Sequence, residues 1–418
     1  MAIKFLHLAD VHLDTPFKNR EKGVRKVLRE GVRQAFRKAI DLALDRQVDA
    51  VLVAGDLFDN DTLSFATEKF LLEQINRLRE RGVPFFYAPG NHDPWGGSFR
   101  LGNIPWPDNV TVFNSRKPYI VEIKDATGQV KGIICGAGHK DSKEGDNLAS
   151  NFPPIKGGAP GIGLLHALVT GSQDESNHDS YAPCTLDDLR IDGYCYWALG
   201  HVHTKSELLD DPYVVYPGNI VGRHYRESGE RGAYLVEIDD NKNVRAQFCP
   251  LAPYVWLNVN VINLDEVSTY DDLKEEIVKQ AFEAIREANS RGKINLRVSL
   301  SGPCFFYKEL IQEEESREQL VNDIKSALDI EFLELDYASL SHMVNIDEYR
   351  QGPHVLATAL DIIQTLKEDE ALLLELAPEK LAGMKKSGSE QEKISYLRSL
   401  LTDLDVEAAV RMVEEEKK

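Results

Sequence analysis

The chain has 418 residues, 42% of them hydrophobic and 28% charged, with a mean hydropathy of −0.34. At roughly 150 residues per domain, this length predicts two or three domains. The composition excludes a disordered chain, a collagen-like chain and a polytopic membrane protein. The longest apolar runs fall short of the roughly 18 residues that span a bilayer, so we expect no membrane association. Residues 1–13 are apolar but carry His7, Asp10 and His12, which predicts a strand and not a signal peptide.

Charge is distributed unevenly along the chain. The net charge is −19, but residues 1–120 carry +3, residues 121–250 carry −7 and residues 251–418 carry −15. The total argues against a simple DNA-coating protein, whereas the first third remains able to bind an anion. The five cysteines are odd in number and include no CxxC pair, which argues against a disulfide framework or a thiolate zinc site. Such cysteine usage favours a reducing cytoplasm as the location.

Five apolar runs in the first 200 residues each end at a polar residue that can bind a metal. The runs cover residues 3–9, 50–55, 84–90, 162–165 and 194–200, and the residues that follow are Asp10, Asp56, Asn91, His166 and His201. Short runs of this composition are typical of buried strands. Helical apolar spacing over 24–40, which includes Val27, and over 70–78 makes the order strand, helix, strand, as in parallel α/β sheets. Ligands gather at the carboxyl ends of such strands, so we expect one site.

The rest of the chain predicts two smaller parts. Residues 254–340 alternate between strand and helix, with helices over 270–288 and 316–328, as in a small α+β module. Two amphipathic helical stretches follow, over 354–384 and 390–417. Their apolar stripes consist of Leu356, Leu360, Ile363 and Leu366 in the first, and Ile394, Leu397, Leu401 and Leu404 in the second. We therefore predict domains at 1–250, 251–345 and 346–418.

Seven side chains form a candidate metal constellation. Asp10 pairs with His12 and His201 with His203; residues two apart in extended chain point to the same side, so each pair can meet one ion. With Asp56, Asn91 and His166 this makes seven ligands, too many for one ion but enough for two sets of four if Asp56 bridges. Imidazole and carboxylate without thiolate suit manganese, iron or zinc better than calcium.

The chemistry expected of such a constellation is phosphoryl transfer. Two ions about 3.5–4 Å apart clamp the attacking and leaving oxygens of an in-line displacement and activate a water as nucleophile. His92 adjoins the predicted ligand Asn91. It can donate to the phosphate oxygens or protonate the leaving oxygen, so we predict His92 as the catalytic residue.

The motif order D-x-H, G-D-x-x-D, G-N-H-D, H, G-H-x-H resembles that of the calcineurin-like metallophosphoesterases. The resemblance implies a four-layer α/β/β/α sandwich and two divalent metal ions, with Mn²⁺ favoured and Fe²⁺ or Zn²⁺ as alternatives. It implies one metal held by Asp10, His12, Asp56 and His203. It implies the other held by Asp56, Asn91, His166 and His201. It also gives His92 the catalytic role beside them.

Finer features resemble the SbcD/YhaO-type DNA repair exonuclease branch of that family. The segments FLHLADVHLDTPF, VAGDLFD and YPGNIVGRHYRESGERGAYLVEI carry the likeness, which is strong over 1–250 and weaker over 251–345, where these nucleases have a capping domain. The resemblance implies a nuclease in DNA repair that acts on DNA ends or hairpins with an SMC-like ATPase (SbcC/YhaN-like). A His stands in the eukaryotic branch where this chain has Asp59, so exonuclease or endonuclease preference is not carried over.

Two further segments are candidates for DNA contact. Residues 18–38 hold nine basic residues, among them Arg25 and Arg29, which predicts either a phosphate-tracking helix face or an ordinary solvated one. In the segment 218–231, Arg223, His224 and Arg226 can grip the phosphates beside the scissile one. The alternative there is a turn with solvated arginines.

Several alternatives stay open at this point. The enzymatic one is a phosphodiesterase or phosphatase for nucleotides or other small molecules, and the non-enzymatic one is a scaffold subunit of an ATPase complex. The C-terminal helices are either a hairpin packed on its own domain or the docking element for the ATPase. Relatives often form homodimers, and the sequence leaves that state open. We expect His7 to be a satisfied core histidine and His139 to lie at the surface.

Overall fold

The computed structural model describes residues 2–18, 22–59, 63–96, 99–171, 179–288, 292–330, 332–343, 349–350, 355–376, 390–401, 404–405, 408–409 and 412. The chain forms two compact units. The first comprises Met1–Leu257 and Glu287–Asn295, and the second comprises Asn258–Arg286 and Leu296–Lys418. The domain boundaries at 250 and 345 stay predictions.

The first sheet of unit 1 combines four parallel strands with two antiparallel ones. The parallel strands are β1 (Ile3–Leu8), β2 (Ala50–Ala54), β3 (Phe85–Ala88) and β4 (Val110–Val112). The chain returns through β11 (Gly232–Ile238) and β12 (Val244–Pro250), which give the order β12-β11-β1-β2-β3-β4. The crossovers run through α1 (Lys22–Asp45) and α2 (Phe65–Arg79), and a short helix, α3 (Phe99–Asn103), precedes β4.

The second sheet of unit 1 also contains parallel strands at its centre. Its order is β5 (Tyr119–Lys124), β6 (Val130–Gly136), β7 (Gly161–His166), β8 (Tyr194–Gly200), β10 (Tyr213–Tyr216) and β9 (Ser206–Asp210). Strands β6, β7, β8 and β10 are parallel, whereas β5 and β9 are antiparallel edges.

The two sheets pack face to face and enclose the main core. Leu52 and Phe86 from the first sheet and Ile134, Leu164 and Ala198 from the second share one buried cluster. The α/β fold class with two stacked sheets is confirmed. The outer face of the second sheet is covered, within the part of the chain that the structure describes, by irregular chain and short 3-10 turns.

Two predictions about individual side chains have different outcomes. His7 is fully buried as expected, with Nδ1 2.9 Å from the Tyr196 hydroxyl and Nε2 3.1 Å from the Leu199 carbonyl oxygen, so it links the two sheets. The apolar stripe that we predicted on α1 wrongly includes Val27, which is 59% exposed, whereas its neighbour Leu28 is buried. Both lie near one stripe edge, where periodicity alone does not decide burial.

The second unit contains the predicted strand and helix alternation. A three-stranded sheet has the order β13 (Tyr254–Val261), β14 (Lys293–Cys304) and β15 (Phe332–His342), and all of it except residues 254–257 and 293–295 belongs to this unit. The helices between these strands are α4 (Tyr270–Ala288), α5 (Tyr307–Gln312) and α6 (Glu314–Leu328). Sequence analysis missed α5, which is short.

The C-terminal helices bury their apolar stripes against one another. They are α7 (Val355–Glu368), α8 (Glu370–Glu375) and α9 (Glu390–Leu400). Leu356 and Leu360 pack with Ala409, while Leu397 and Leu401 pack with Leu373. This favours the hairpin alternative for the stripe residues. Among the described residues, no helix is long and apolar enough to cross a membrane.

Candidate active site

The predicted ligands lie at or just beyond the carboxyl ends of β1, β2, β3, β7 and β8. Asp10 and Asp56 are each 1% exposed. A Cβ on Gly55 would lie 2.1 Å from the His166 ring, and one on Gly90 would lie 2.3 Å from an Asp56 carboxylate oxygen. Positions 55 and 90 therefore need glycine, because the loops approach one another too closely there for a side chain.

The Asp10-x-His12 pair does not form in the way that we predicted. Both residues have positive φ, 49° and 50°, so the loop is left-handed and not extended. Main-chain hydrogen bonds from Asp10 to the Gly55 carbonyl (3.2 Å) and from His12 to the Asp56 carbonyl (2.9 Å) hold it beside the loop after β2. Asp56 and His201 also have positive φ, 50° and 106°. Backbone strain of this kind concentrates at functional sites.

Three overlapping groups of side chains present ligand atoms within 4.8 Å of one another. They are Asp10, His12 and His203; His12, Asp56 and His92; and Asp10, Asp56 and His166. Asp56 lies centrally: its Oδ2 is 3.7 Å from His12 Nε2 and 3.6 Å from His166 Nε2. His203 Nε2 is 3.8 Å from Asp10 Oδ1. The structure thus brings together most of the predicted ligands around two carboxylates.

The side chains of this cluster fit a divalent cation. Neither ring nitrogen of buried His12 has a hydrogen-bond partner among the described residues. Burial, followed by the charge of Asp56, raises the pKa of Asp10 well above its ordinary value. Burial also lowers the pKa values of His12 and His166 far below the ordinary value, which leaves neutral imidazoles. Neutral imidazoles are ready to bind a cation, and a bound cation would displace the proton that burial and the Asp56 charge favour on Asp10.

Asn91 and His201 complete the predicted set on the β7 side. Asn91 Oδ1 lies 2.9 Å from His166 Nε2 and 3.2 Å from His201 Nδ1, so the three converge. The second nitrogen of His201 lies 2.8 Å from the Asp179 carbonyl oxygen, which leaves Nδ1 to face Asn91. His166 Nδ1 lies 2.9 Å from the Ala54 carbonyl oxygen, which directs its Nε2 toward Asp56.

His92 is held by the carboxylate of Asp59. Its Nδ1 lies 2.8 Å from Asp59 Oδ1, and its main-chain N–H donates to Asp56 Oδ1 at 2.9 Å. Burial works against protonation, but the hydrogen bond to Asp59 and the charge of Asp56 outweigh it and raise the pKa of His92 to about 9. The ring is one-third exposed, so it can reach a substrate. Sequence analysis treated Asp59 as a departure from the eukaryotic pattern and missed this role.

Asp93 and His139 are two buried residues in contact with the candidate site to which sequence analysis gave no role. The fully buried Asp93 carboxylate accepts main-chain hydrogen bonds from Asp56 (3.2 Å), Leu57 (2.5 Å), Phe58 (3.2 Å) and Gly90 (2.7 Å), and so ties two ligand loops together. His139 was expected at the surface, which is wrong: it is fully buried, with Nε2 2.6 Å from the His166 carbonyl oxygen.

A buried glutamate contacts His203 at Nδ1, whereas the other ring nitrogen, Nε2, is the one near Asp10. Glu227 Oε1 lies 2.8 Å from His203 Nδ1, and Glu227 Oε2 accepts from Asn219 Nδ2 and the Arg223 main chain, both at 2.6 Å. Arg231 donates to the His203 carbonyl and to Asn219 Oδ1. The sequence contains no signal for this role, because Glu227 is one of two acids in an arginine-containing loop and the other is Glu230.

The residues predicted to contact the substrate differ in their exposure and in their hydrogen bonds to the rest of the protein. Arg223 is largely buried, with Nη2 3.2 Å from Glu227 Oε1 and 3.0 Å from His203 Nδ1. Arg226 and His224 are exposed on the same loop. Arg29 donates to the carbonyl oxygens of Thr15 (3.0 Å) and Pro16 (3.5 Å).

Other residues of the basic helix also have internal partners. Arg33 pairs with Asp14 at 3.3 Å, and the Arg37 guanidinium lies 5.4 Å from the centre of the Phe70 ring. Part of the charge on α1 therefore attaches the helix to its neighbours. Arg25 makes no hydrogen bond or ion pair with the described residues, so it is the more available of the two predicted α1 contacts.

Comparison with known proteins agrees with this geometry. A family model for calcineurin-like phosphoesterase matches residues 3–205. The uncharacterized metallophosphoesterase YhaO of Bacillus subtilis is 32% identical over 333 residues, which cover 76% of this chain and 79% of YhaO. The DNA double-strand break repair protein Mre11 of Saccharolobus solfataricus is 26% identical, over 65% of this chain and 71% of the relative.

One solved structure shows a weaker likeness. The protein TT1561 of Thermus thermophilus matches with a TM-score of 0.35 and 13% identity, over 59% of this chain and 99% of that one. The length and identity of the YhaO alignment, together with the family match, decide the assignment. The chain belongs to the calcineurin-like phosphoesterases and is a phosphoester hydrolase.

Proposed function

We propose that the chain is a metal-dependent DNA nuclease, an exonuclease or endonuclease subunit in DNA repair. The observation that carries the proposal is the cluster of buried donors around Asp10 and Asp56, beside a His92 that is held by Asp59. A basic loop joined to this cluster through Glu227 supports a polyanionic substrate. The relative named as a DNA double-strand break repair protein supports DNA as that substrate.

In this proposal, two divalent ions are bound, with Mn²⁺ as the favoured metal. Asp10, His12 and His203 would hold one ion and Asn91, His166 and His201 the other, with Asp56 available to both. Such a pair would supply an activated water and positive charge to offset the charge that develops on the phosphate. The protein supplies preformed, desolvated donors in loops that Asp93 ties together.

His92 is proposed as the catalytic acid and hydrogen-bond donor. The Asp59 carboxylate accepts from Nδ1, so Nε2 is the nitrogen left to face the substrate. A protonated imidazole there can donate to a phosphate oxygen or give its proton to the leaving oxygen. Arg226, His224 and Arg25 are proposed to contact flanking phosphates, with Arg223 and Arg29 contributing from more enclosed positions.

The test is incubation of the full chain with Mn²⁺, an end-labelled DNA duplex and a small aryl phosphodiester. Asp56→Ala serves as the inactive control, because it removes the shared carboxylate. Cleavage of both substrates by the wild type alone supports the nuclease. Cleavage of the aryl ester alone favours a small-molecule phosphodiesterase, and cleavage of neither favours a scaffold subunit.

The partnership with an SMC-like ATPase is also proposed, through the C-terminal helices. Because the stripe residues bury one another, the proposal rests on Val355 and Ile362 of α7, which are 75% and 53% exposed. Val355→Asp combined with Ile362→Asp should abolish co-purification with an SMC-like ATPase supplied in excess, while Thr358→Asp, at an exposed polar position, should not. A retained complex would refute this docking surface. The homodimer stays a prediction.

A further inference from the structure

We infer that Glu227 is a positioning residue that fixes which nitrogen of His203 faces the metal cluster and couples that ligand to the arginine-bearing loop. This inference rests on the proposed two-metal function. Glu227 is 6% exposed and lies in the turn between β10 and β11, remote in sequence from the other site motifs. Its side chain reaches back to His203, a separation of 24 residues.

The partners of Glu227 are nearly all donors. Oε2 accepts from Asn219 Nδ2 and the Arg223 main-chain N–H, each at 2.6 Å. Oε1 lies 2.8 Å from His203 Nδ1 and 3.2 Å from Arg223 Nη2. His224 Nε2 lies farther away, at 3.6 Å. Only an ionised carboxylate has enough acceptor sites for such a set.

Two neighbours of His203 Nδ1 favour opposite tautomers, since Glu227 can only accept and Arg223 can only donate. The contact with Glu227 is the shorter, 2.8 Å against 3.0 Å, and Arg223 Nη2 has Glu227 Oε1 as its own acceptor at 3.2 Å, which favours the proton on Nδ1. If Nδ1 accepted from Arg223, its proton would sit on Nε2, the nitrogen 3.8 Å from Asp10 Oδ1. With Nδ1–H donating to Glu227, the lone pair of Nε2 points at the Asp10 side of the cluster instead. A carboxylate behind a ligating histidine is a known means of fixing ring orientation and basicity.

The same carboxylate ties the substrate loop to the ligand. Asn219 is fully buried and is joined to Arg231, which donates to the His203 main-chain carbonyl. The loop from 218 to 231 is therefore attached to His203 at its ring and at its backbone. Displacement of Glu227 would release both the ring nitrogen and Arg223, so ligand geometry and phosphate contact depend on one side chain.

The matched variants are Glu227→Gln and Glu230→Gln. Glutamine preserves the shape at 227 but turns one acceptor into an NH₂ group that faces donors, whereas Glu230 makes no contact with His203 that the structure describes. Mn²⁺ alone is titrated into the metal-free full chain, with free ion followed by electron paramagnetic resonance. We expect wild type and Glu230→Gln to bind two ions equally. Glu227→Gln should bind one of them about 10- to 100-fold more weakly, the usual effect of losing such a support.

A spectroscopic reading of the wild type keeps the inference falsifiable if Glu227→Gln does not fold. In metal-free chain labelled with ¹⁵N-histidine, the signal missing from His203→Asn identifies His203, and we expect its proton on Nδ1. A proton on Nε2, or Mn²⁺ affinities in Glu227→Gln that equal those of Glu230→Gln, would overturn the inference. Neither readout uses DNA. A failure to cut DNA would therefore refute the proposed nuclease activity and leave the inference about Glu227 standing. A wild type that binds no Mn²⁺ would overturn both.

Discussion

Asp59 and His92 form a carboxylate–imidazole pair, with Oδ1 and Nδ1 2.8 Å apart, at the open side of the ligand cluster. The pair explains how a carboxylate at this position serves the site. Asp59 does not itself donate to phosphate; it orients the neighbouring imidazole and keeps it protonated. The loop that supplies the predicted ligand Asp56 therefore also supplies the partner of His92, the proposed catalytic histidine.

Asp59→Asn should shift the alkaline limb of the activity profile. The pKa of His92 is raised to about 9, so the proton is held below that pH and lost above it. Without the Asp59 charge this pKa falls, and the loss of activity on a small aryl phosphodiester should begin at lower pH. The check is the pH dependence of kcat, with the exposed Asp108→Asn as control. An alkaline limb that coincides with the wild type would contradict the assigned role.

Asp93→Asn should destabilise unit 1. An amide in place of this carboxylate presents NH₂ to the main-chain donors of Asp56, Leu57, Phe58 and Gly90. Leaving a buried donor unsatisfied costs about 1–3 kcal/mol. Urea denaturation at pH 8 should show a loss of that order in the free energy of unfolding, while Asp108→Asn stays within about 0.5 kcal/mol of wild type. Equal stability of the two variants would show that the loops do not depend on Asp93.

Arg226→Ala and Arg223→Ala should separate DNA contact from support of the site. Arg226 is exposed, so its loss should lower turnover of DNA roughly tenfold, the effect of losing one charged hydrogen bond, and lower turnover of the aryl ester less. Arg223 contacts Glu227 and His203, so its loss should lower both. Steady-state kinetics on the two substrates provides the measurement. If Arg226→Ala affects both substrates equally, the loop is not a DNA contact.

Charge reversal at Arg25 should weaken DNA binding and flatten its salt dependence. Each phosphate contact contributes about 0.9 to the slope of log K against log salt, so Arg25→Glu should reduce the slope by about one contact. Lys69→Glu, on α2, is the control of equal charge change, since Lys69 is 79% exposed. Arg29→Glu is less informative because it also removes the contacts to Thr15 and Pro16. An unchanged slope for Arg25→Glu would defeat the assignment.

Sequence alone predicted the strands, the crossover helices and the edge at which the ligands meet. These follow from short-range patterns, because runs such as 50–55 are both apolar and followed by a polar ligand. The loop geometry did not follow from such a pattern. Asp10 and His12 come together through a left-handed turn that is fixed by main-chain hydrogen bonds to Gly55 and Asp56. The alternation of side chains along an extended strand does not predict such a turn.

The supporting residues were beyond the reach of spacing rules for a different reason. Asp93, His139 and Glu227 act on groups that only the folded chain brings near, such as the His166 carbonyl for His139. A buried acid in a basic loop looks like a solvated one until its partners are known. Arg29 shows the reverse, since a helix face that looks solvated contains a guanidinium bound to main-chain oxygens.

The most direct test of the account is anomalous diffraction from crystals of the full chain soaked in Mn²⁺. The account predicts two peaks about 3.5–4 Å apart on either side of the Asp56 carboxylate. One should lie against His12 and His203 and the other against Asn91 and His166. A single peak, or two peaks that do not share Asp56, would contradict the two-metal assignment.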